Sequence, residues 1–205
     1  MQQTRLSDAI TGFNAKSLRR VDIHVTTPGG RHIVEMKDSR LIEDRGRAAY
    51  GGFCPDLSPD LQLGQPLPRL FIGSQDVAHD LKLMKANGIT RVLNVASGVE
   101  NKFPEDLVYF SVEILDVPET NLWPYLIQCL DFIDSARTNG FSVLVHCNAG
   151  ISRSAAVVCA YIMKTEGKGF NEALDLVKAH RPNAKPNDGF VKQLKENEEK
   201  LIARK

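Results

Sequence analysis

From about residue 60 onward, the sequence alternates short apolar segments typical of β-strands with segments in which apolar residues recur at helical spacing. The segments that predict strands are residues 69–73, 90–96, 107–115 and 142–146. Residues 90–96 are too continuously apolar for a strand with one face in water. Strands that alternate with helices favour an α/β domain, so we expect a central, mostly parallel twisted sheet flanked by helices.

The helical segments differ in how apolar they are. The segment SAAVVCAYIM is apolar nearly all round, which predicts a central helix that is buried on every side. Residues 74–88 are predicted as one helix, which Ser74 or Asp76 caps and Gly88 ends. The remaining predicted helices are residues 120–137, a helix marked by Phe170, Ala173, Leu174 and Val177, and a last helix from Asn187 through Leu201.

The first 57 residues have a different character. Residues 1–50 hold nine Lys and Arg against six Asp and Glu, a net charge of +3. Within them, VDIHVTT and RHIVEM flank a Pro-Gly-Gly turn cluster and predict a short hairpin. The stretch RGRAAYGGFCPDLSP is rich in Gly and Pro and is typical of a linker. We therefore divide the chain into a basic N-terminal extension and linker, residues 1–57, and a folded domain, residues 58–205.

Composition argues against several classes of protein. A net charge of +1 gives no global attraction to nucleic acid or to an anionic membrane. The longest apolar run covers nine residues, whereas a spanning helix needs about 20. The N-terminus also lacks the apolar core of a secretory signal, so we expect a cytoplasmic protein, with the nucleus as a second location. The four cysteines show no metal-binding spacing, and we expect neither metal nor cofactor.

The segment VLVHCNAGISRS, residues 143–154, carries the strongest chemical signal. An apolar strand leads to Cys147, five residues follow as a loop, and Arg153 then opens a helix. Such a loop can point the N–H groups of residues 148–152 into one hollow, next to the positive end of the helix. Gly150 supplies the backbone freedom that the tight turn needs. Arg153 can bind two phosphate oxygens, and the same positive field favours the thiolate form of Cys147.

Three further residues complete this constellation. Ser154 can donate its hydroxyl to the sulfur of Cys147, whereas His146 is interpreted as a structural hydrogen bonder rather than a base. A phosphate ester also needs a proton on its leaving oxygen. Asp116 in LDVPETN lies at the end of a predicted strand, 31 residues before Cys147, and is our candidate acid. Glu119 is the competing carboxylate and ranks second, because Asp116 directly follows the strand.

The sequence HCNAGISRS resembles the H-C-x-x-G-x-x-R-S/T loop of the protein tyrosine phosphatase superfamily. The segments AYIM, LDVPETN and RP-x3-PN-x-GF-x2-QL are similar to motifs of its dual-specificity branch, and Asn94 falls where that branch places an asparagine supporting the phosphate loop. The resemblance covers about residues 58–200. It is greatest to the small atypical group, and within it to a phosphatase that regulates a stress-activated protein kinase pathway.

This resemblance implies the protein-tyrosine-phosphatase-like fold and a hydrolase without metal or cofactor. Cys147 would be the nucleophile and Asp116 the general acid. Arg153 would bind phosphate together with the N–H groups of Asn148, Ala149, Gly150, Ile151 and Ser152. The expected substrate is phosphotyrosine and phosphoserine or phosphothreonine of a phosphoprotein, a MAP kinase or an upstream kinase.

Two alternative functions remain open from the sequence. The same fold serves phosphoinositide phosphatases and RNA triphosphatases, but the uncharged side chains at positions 148, 149, 151 and 152 favour a protein substrate with a single phosphate. A scaffold that mainly holds kinases is the alternative from the binding class. A scaffold would keep its biological effect after substitution of Cys147 by serine.

Overall fold

The computed structural model describes residues 23–26, 32–35, 41–44 and 59–203. The chain divides into two compact units, residues 1–58 and residues 59–205. The first unit contains strands β1 (Ile23–Thr26), β2 (His32–Glu35) and β3 (Leu41–Asp44), which form an antiparallel sheet in the order β1-β2-β3. The pairing of β1 with β2 confirms the predicted hairpin. The sequence did not indicate β3, and the predicted linker, residues 45–59, lies outside the described residues except for Pro59.

The second unit contains a five-stranded sheet in the order β4-β5-β8-β6-β7. Its strands are β4 (Gly64–Leu67), β5 (Leu70–Gly73), β6 (Ile89–Ala96), β7 (Val108–Ile114) and β8 (Ser142–His146). The last four pair in parallel, and only β4 is antiparallel to its neighbour, so the prediction of a mostly parallel sheet is confirmed. Strand β4 was not predicted, because a short segment with Gly64 and Pro66 is not typical of a strand except at a sheet edge.

Seven helices lie within residues 59–203: α1 (Gln75–Ala78), α2 (Leu81–Ala86), α3 (Trp123–Thr138), α4 (Arg153–Glu166), α5 (Phe170–His180), α6 (Asp188–Glu196) and α7 (Glu198–Ile202). The single helix predicted over residues 74–88 is wrong, because the Asp80 side chain accepts from the N–H of Leu83 and starts a second helix. The predicted last helix is likewise divided at Asn197, whose amide caps the carbonyl of Gln193.

The sheet separates two apolar layers. Side chains from one face of the strands, such as Ile72, Leu93 and Val145, pack with α3, α4 and α5 in the larger core. Alternate residues of the same strands, such as Phe71 and Leu144, face the smaller core with α1 and α2. Every residue of α4 from 153 to 163 is buried, which confirms the predicted central helix. No helix among the described residues is long and apolar enough to cross a membrane.

Candidate active site

The loop that carries Cys147 lies between the carboxyl end of β8 and the N-terminus of α4. Because β8 is the middle strand of the sheet and α4 is buried, this loop has a rigid support on both sides. Cys147 is 2% exposed, Arg153 8% and Ser154 0%. The Sγ atom of Cys147 lies 3.4 Å from the Oγ atom of Ser154, close enough for the hydroxyl to donate a hydrogen bond to a thiolate.

The loop turns its carbonyl groups outward. Each carbonyl from Cys147 to Ile151 accepts a hydrogen bond from a donor outside the loop. The carbonyl of Cys147 accepts from His146 Nδ1 at 3.2 Å, and the carbonyl of Asn148 accepts from the N–H of Gln75 at 2.7 Å. The carbonyls of Ala149 and Gly150 accept from Nη2 and Nε of Arg181 at 2.7 Å and 2.8 Å. The carbonyl of Ile151 accepts from the N–H of Lys185 at 2.8 Å.

The amide groups of the loop consequently face the other way. In a trans peptide unit the N–H points opposite to the C=O, so outward carbonyls leave inward N–H groups. None of the N–H groups of residues 148–152 donates a hydrogen bond to another described residue. These N–H groups therefore face one side of the loop, beside the N-terminus of α4. We call the space on this side of residues 147–153 the phosphate hollow, since successive amides beside a helix N-terminus can form an anion site.

Gly150 is required by this geometry. Its φ angle is +66°, in the left-handed region that side chains disfavour. A Cβ atom at this position would overlap the carbonyl group of Gly73 and lie 2.8 Å from Arg181 Nη2. The conformational role predicted for Gly150 is therefore confirmed, and a steric role is added to it.

The guanidinium group of Arg153 is held at the edge of the phosphate hollow. Its Nη1 donates to the carbonyl of Ile114 at 3.1 Å, and its Nη2 donates to Oδ1 of Asn148 at 2.8 Å. Its Nε is buried and makes no hydrogen bond to the described residues, although Oδ2 of Asp116 lies 3.6 Å away. A fixed guanidinium with an unused buried N–H can donate to an oxyanion.

Asp116 reaches the phosphate hollow from the loop after β7. Its Oδ1 accepts from Ser152 Oγ at 2.6 Å and from Asn187 Nδ2 at 2.8 Å. Both of these donors use Oδ1, whereas Oδ2 lies 3.6 Å from Nε of Arg153. Glu119 is exposed and makes no hydrogen bond or ion pair with the described residues, so the structure brings Asp116 and not Glu119 to the loop.

Arg181 and Asn187 were quoted in the sequence analysis only as parts of a motif, without a role. Arg181 is 0% exposed and binds the carbonyls of Ala149 and Gly150, the carbonyl of Gln62 and the carboxylate of Asp60. Asn187 binds Asp116 through its side chain, and its N–H donates to Ser152 Oγ at 3.0 Å. Arg181 follows an amphipathic helix, where a basic residue normally lies at the surface, so no sequence signal marked its burial.

The two residues predicted to support the loop have different hydrogen-bond partners. Burial lowers the pKa of His146 to about 4, so the imidazole is neutral near pH 7 and donates to the carbonyl of Cys147, as a structural role requires. The side chain of Asn94 binds the carbonyl of Val99, Oδ1 of Asn101 and the N–H of Ala96, in the turn after β6. These three partners lie outside residues 147–153, so the supporting role of Asn94 stays a prediction.

The other described cysteines are not competing nucleophiles. Cys129 and Cys159 are buried on the inner faces of α3 and α4. Burial raises the pKa of each thiol to about 12, so both stay protonated near pH 7. Among the cysteines of residues 59–203, Cys147 is therefore the candidate nucleophile, at the start of the loop between β8 and α4.

Comparison with known proteins agrees with this geometry. The family model described as "Dual specificity phosphatase, catalytic domain" matches residues 70–200, more than half of the chain. Mouse (Mus musculus) dual specificity protein phosphatase 19 is 43% identical over 194 residues, covering 93% of this chain and 88% of its own length.

Two solved human structures show the same likeness in three dimensions. The tyrosine phosphatase-like serine/threonine/tyrosine-interacting protein has a TM-score of 0.66 and 35% identity, over 68% of this chain and 97% of its own. DUSP28 has a TM-score of 0.65 and 33% identity, over 68% and 95% respectively. With a catalytic-domain match, a relative aligned over nearly its whole length and the same fold around the loop, the chain belongs to the small atypical dual-specificity protein phosphatases.

Proposed function

We propose that this phosphatase hydrolyses phosphotyrosine and phosphoserine or phosphothreonine in proteins through a phosphocysteine formed on Cys147. The observation that carries the proposal is that every carbonyl of residues 147–151 is bonded to a donor outside the loop, which leaves the N–H groups of residues 148–152 facing the phosphate hollow beside the buried Cys147. Arg153 adds a fixed cation at the edge of the hollow. Such a site can bind a phosphate dianion and present its phosphorus to the thiolate.

In the first step the Cys147 thiolate attacks phosphorus, so that an S–P bond forms while the P–O bond to the substrate breaks. The amides of the loop and Arg153 stabilise the charge on the equatorial oxygens. Asp116, in its acid form, transfers the proton of Oδ2 to the leaving oxygen, which departs as a neutral alcohol or phenol. The hydrogen bonds from Ser152 and Asn187 to Oδ1 keep the carboxyl group in position.

In the second step water attacks the phosphocysteine. The Asp116 carboxylate takes a proton from this water as the new P–O bond forms and the S–P bond breaks. Ser154 donates its hydrogen bond to the departing sulfur, whose negative charge grows. Inorganic phosphate leaves, and both the thiolate and the carboxylic acid are regenerated.

The proposed substrates are kinases of a MAP kinase pathway. Support comes from the similarity of VENKF, LDVPETN and HCNAG to a phosphatase of a stress-activated kinase pathway, and from the uncharged side chains of the loop. Such kinases occur in the cytoplasm and the nucleus, so the proposal includes both compartments.

Substitution of Cys147 by serine is expected to abolish hydrolysis of p-nitrophenyl phosphate, while the wild type retains full activity in EDTA. Serine is isosteric but is not ionised near neutral pH, so the variant lacks the nucleophile. The assay compares release of p-nitrophenol by both proteins in EDTA. Full inhibition of the wild type by EDTA, or retained activity in Cys147→Ser, would refute the cysteine mechanism.

The matched control is Cys159→Ser, because Cys159 is a buried thiol outside the phosphate hollow. This variant should keep its turnover. The same preparations are then assayed on a phosphorylated kinase peptide and on a soluble phosphoinositide. Higher kcat/KM for the peptide supports a protein substrate. Higher kcat/KM for the phosphoinositide would instead identify a phosphoinositide as the substrate.

Substitution of Ser154 by alanine is expected to slow the second step and leave the first step almost unchanged. The loss of one hydrogen bond to a charged leaving sulfur corresponds to roughly a 10-fold to 100-fold decrease in kcat. Pre-steady-state release of p-nitrophenol should then show a burst that approaches one equivalent of enzyme. A decrease in the burst rate itself would assign Ser154 to the first step instead.

A further inference from the structure

We infer that the rim of the phosphate hollow selects substrates by an apolar residue next to the phosphorylated one. Three residues form this apolar rim: Leu115 and Val117 on the loop after β7, and Ile151 on the loop after β8. This inference rests on the proposed function and extends it, because it specifies the type of residue that stands next to the phosphorylated residue in the substrate.

The apolar rim is unusual in its exposure. Seven large apolar side chains are strongly exposed among the described residues, and three of the seven are on these two loops. Leu115 is 60% exposed, Val117 44% and Ile151 37%. The other four are dispersed singly, which is normal for a protein surface: Leu61, Val108, Ile127 and Phe141.

The three residues lie on two loops that a hydrogen bond joins. Ser152 Oγ donates to Asp116 Oδ1 at 2.6 Å. Leu115 and Val117 are the chain neighbours of Asp116, and Ile151 is the chain neighbour of Ser152. A phosphorylated residue that enters the hollow between Asp116 and Cys147 therefore has its own neighbours close to these two loops, and we place the exposed apolar side chains of the loops against them.

The loop after β7 is fixed, so its apolar side chains stay exposed. A Cβ atom at position 189 would overlap the carbonyl of Pro118, which shows how closely the start of α6 packs on the loop. Gln193 holds the other end: its Oε1 accepts from Leu122 N–H and its Nε2 donates to Thr120 C=O, both at 2.8 Å. A preformed apolar surface binds an apolar partner without the cost of ordering.

The charges of the two loops also favour an apolar substrate residue at the apolar rim. Residues 115–122 and 147–152 contain Asp116 and Glu119 but no Lys or Arg. A second phosphate or an acidic residue next to the target would meet these carboxylates, whereas an apolar side chain meets the apolar rim. Lys185 is the cation to test against this inference, because its backbone N–H binds Ile151 and its side chain is exposed.

The experiment uses phosphotyrosine peptides that differ only at the residues flanking the phosphotyrosine, which are leucine, serine, aspartate or phosphothreonine. Wild-type kcat/KM is expected to be about tenfold higher for leucine than for serine, the effect of burying part of one apolar side chain. Leu115→Ser and Val117→Ser should bring this ratio toward one while their turnover of p-nitrophenyl phosphate stays unchanged. Val108→Ser, an equally exposed valine on β7, is the matched control and should keep the ratio.

Two results would overturn the inference: equal kcat/KM for all flanking residues in the wild type, or a leucine preference that survives in both rim variants. A preference for phosphothreonine that Lys185→Ala removes would assign selection to charge instead. Wild-type turnover of p-nitrophenyl phosphate distinguishes failure of the apolar rim from failure of the proposed function. If the wild type hydrolyses p-nitrophenyl phosphate but has equal kcat/KM for all the peptides, only the apolar rim is refuted. If the wild type does not hydrolyse p-nitrophenyl phosphate, the proposed function itself is refuted.

Discussion

Substitution of Asp116 by asparagine is expected to lower kcat about 100-fold or more on substrates with a poor leaving group, such as a phosphoserine peptide. Asparagine keeps the shape of the side chain and an oxygen that can accept from Ser152 and Asn187. It has no proton to transfer, so the leaving oxygen must depart as an anion. The effect should be smaller on p-nitrophenyl phosphate, whose leaving group is stable without a proton.

A matched control tests the assignment to the same residue. Glu119→Gln removes the other carboxylate of the loop, which makes no hydrogen bond or ion pair with the described residues, and should leave the rate on both substrates unchanged. Loss of activity in Glu119→Gln with an active Asp116→Asn would reverse the assignment.

Substitution of Arg181 by methionine is expected to destabilise the protein by about 3 kcal/mol and to weaken anion binding in the phosphate hollow. The change leaves the carbonyls of Ala149 and Gly150 without their donor, and each unsatisfied buried group costs about 1–3 kcal/mol. With these carbonyls free to turn, the amides lose their inward orientation. Urea unfolding measures the stability, and inhibition by tungstate measures anion affinity.

A purely structural role for Arg181 would lower stability alone. Arg137→Met is the matched control, because Arg137 also donates to a backbone carbonyl, that of Pro68, away from the phosphate hollow. This variant should bind tungstate as the wild type does. Tungstate affinity is measured well below the unfolding temperature of Arg181→Met, so that the variant is folded. Unchanged affinity under these conditions would contradict the role of Arg181 in positioning the loop.

Where one local pattern determines the structure, the sequence alone predicted the element correctly. The apolar segment of residues 142–146 predicts a buried strand, and α4, which is apolar on all sides, predicts a buried helix. Together they place Cys147 and Arg153 at the two ends of one loop. The positive φ angle of Gly150 follows from the same tight turn.

The errors arose where side chains compete with the backbone or where partners are distant in sequence. A single hydrogen bond from Leu83 N–H to Asp80 was enough to divide one predicted helix into two. The contact of Arg181 with Asp60 joins residues 121 apart, and no local periodicity reports such a pair.

The central claim is that phosphate is transferred to Cys147. The most direct measurement is rapid acid quenching during turnover of a phosphotyrosine peptide, followed by proteolysis and mass spectrometry of the peptide that contains residues 143–154. We expect one phosphoryl group on Cys147 in the wild type, more of it in Ser154→Ala, and none in Cys147→Ser. Full turnover of the substrate by Ser154→Ala with no phosphoryl group on Cys147 at any quench time would contradict the account.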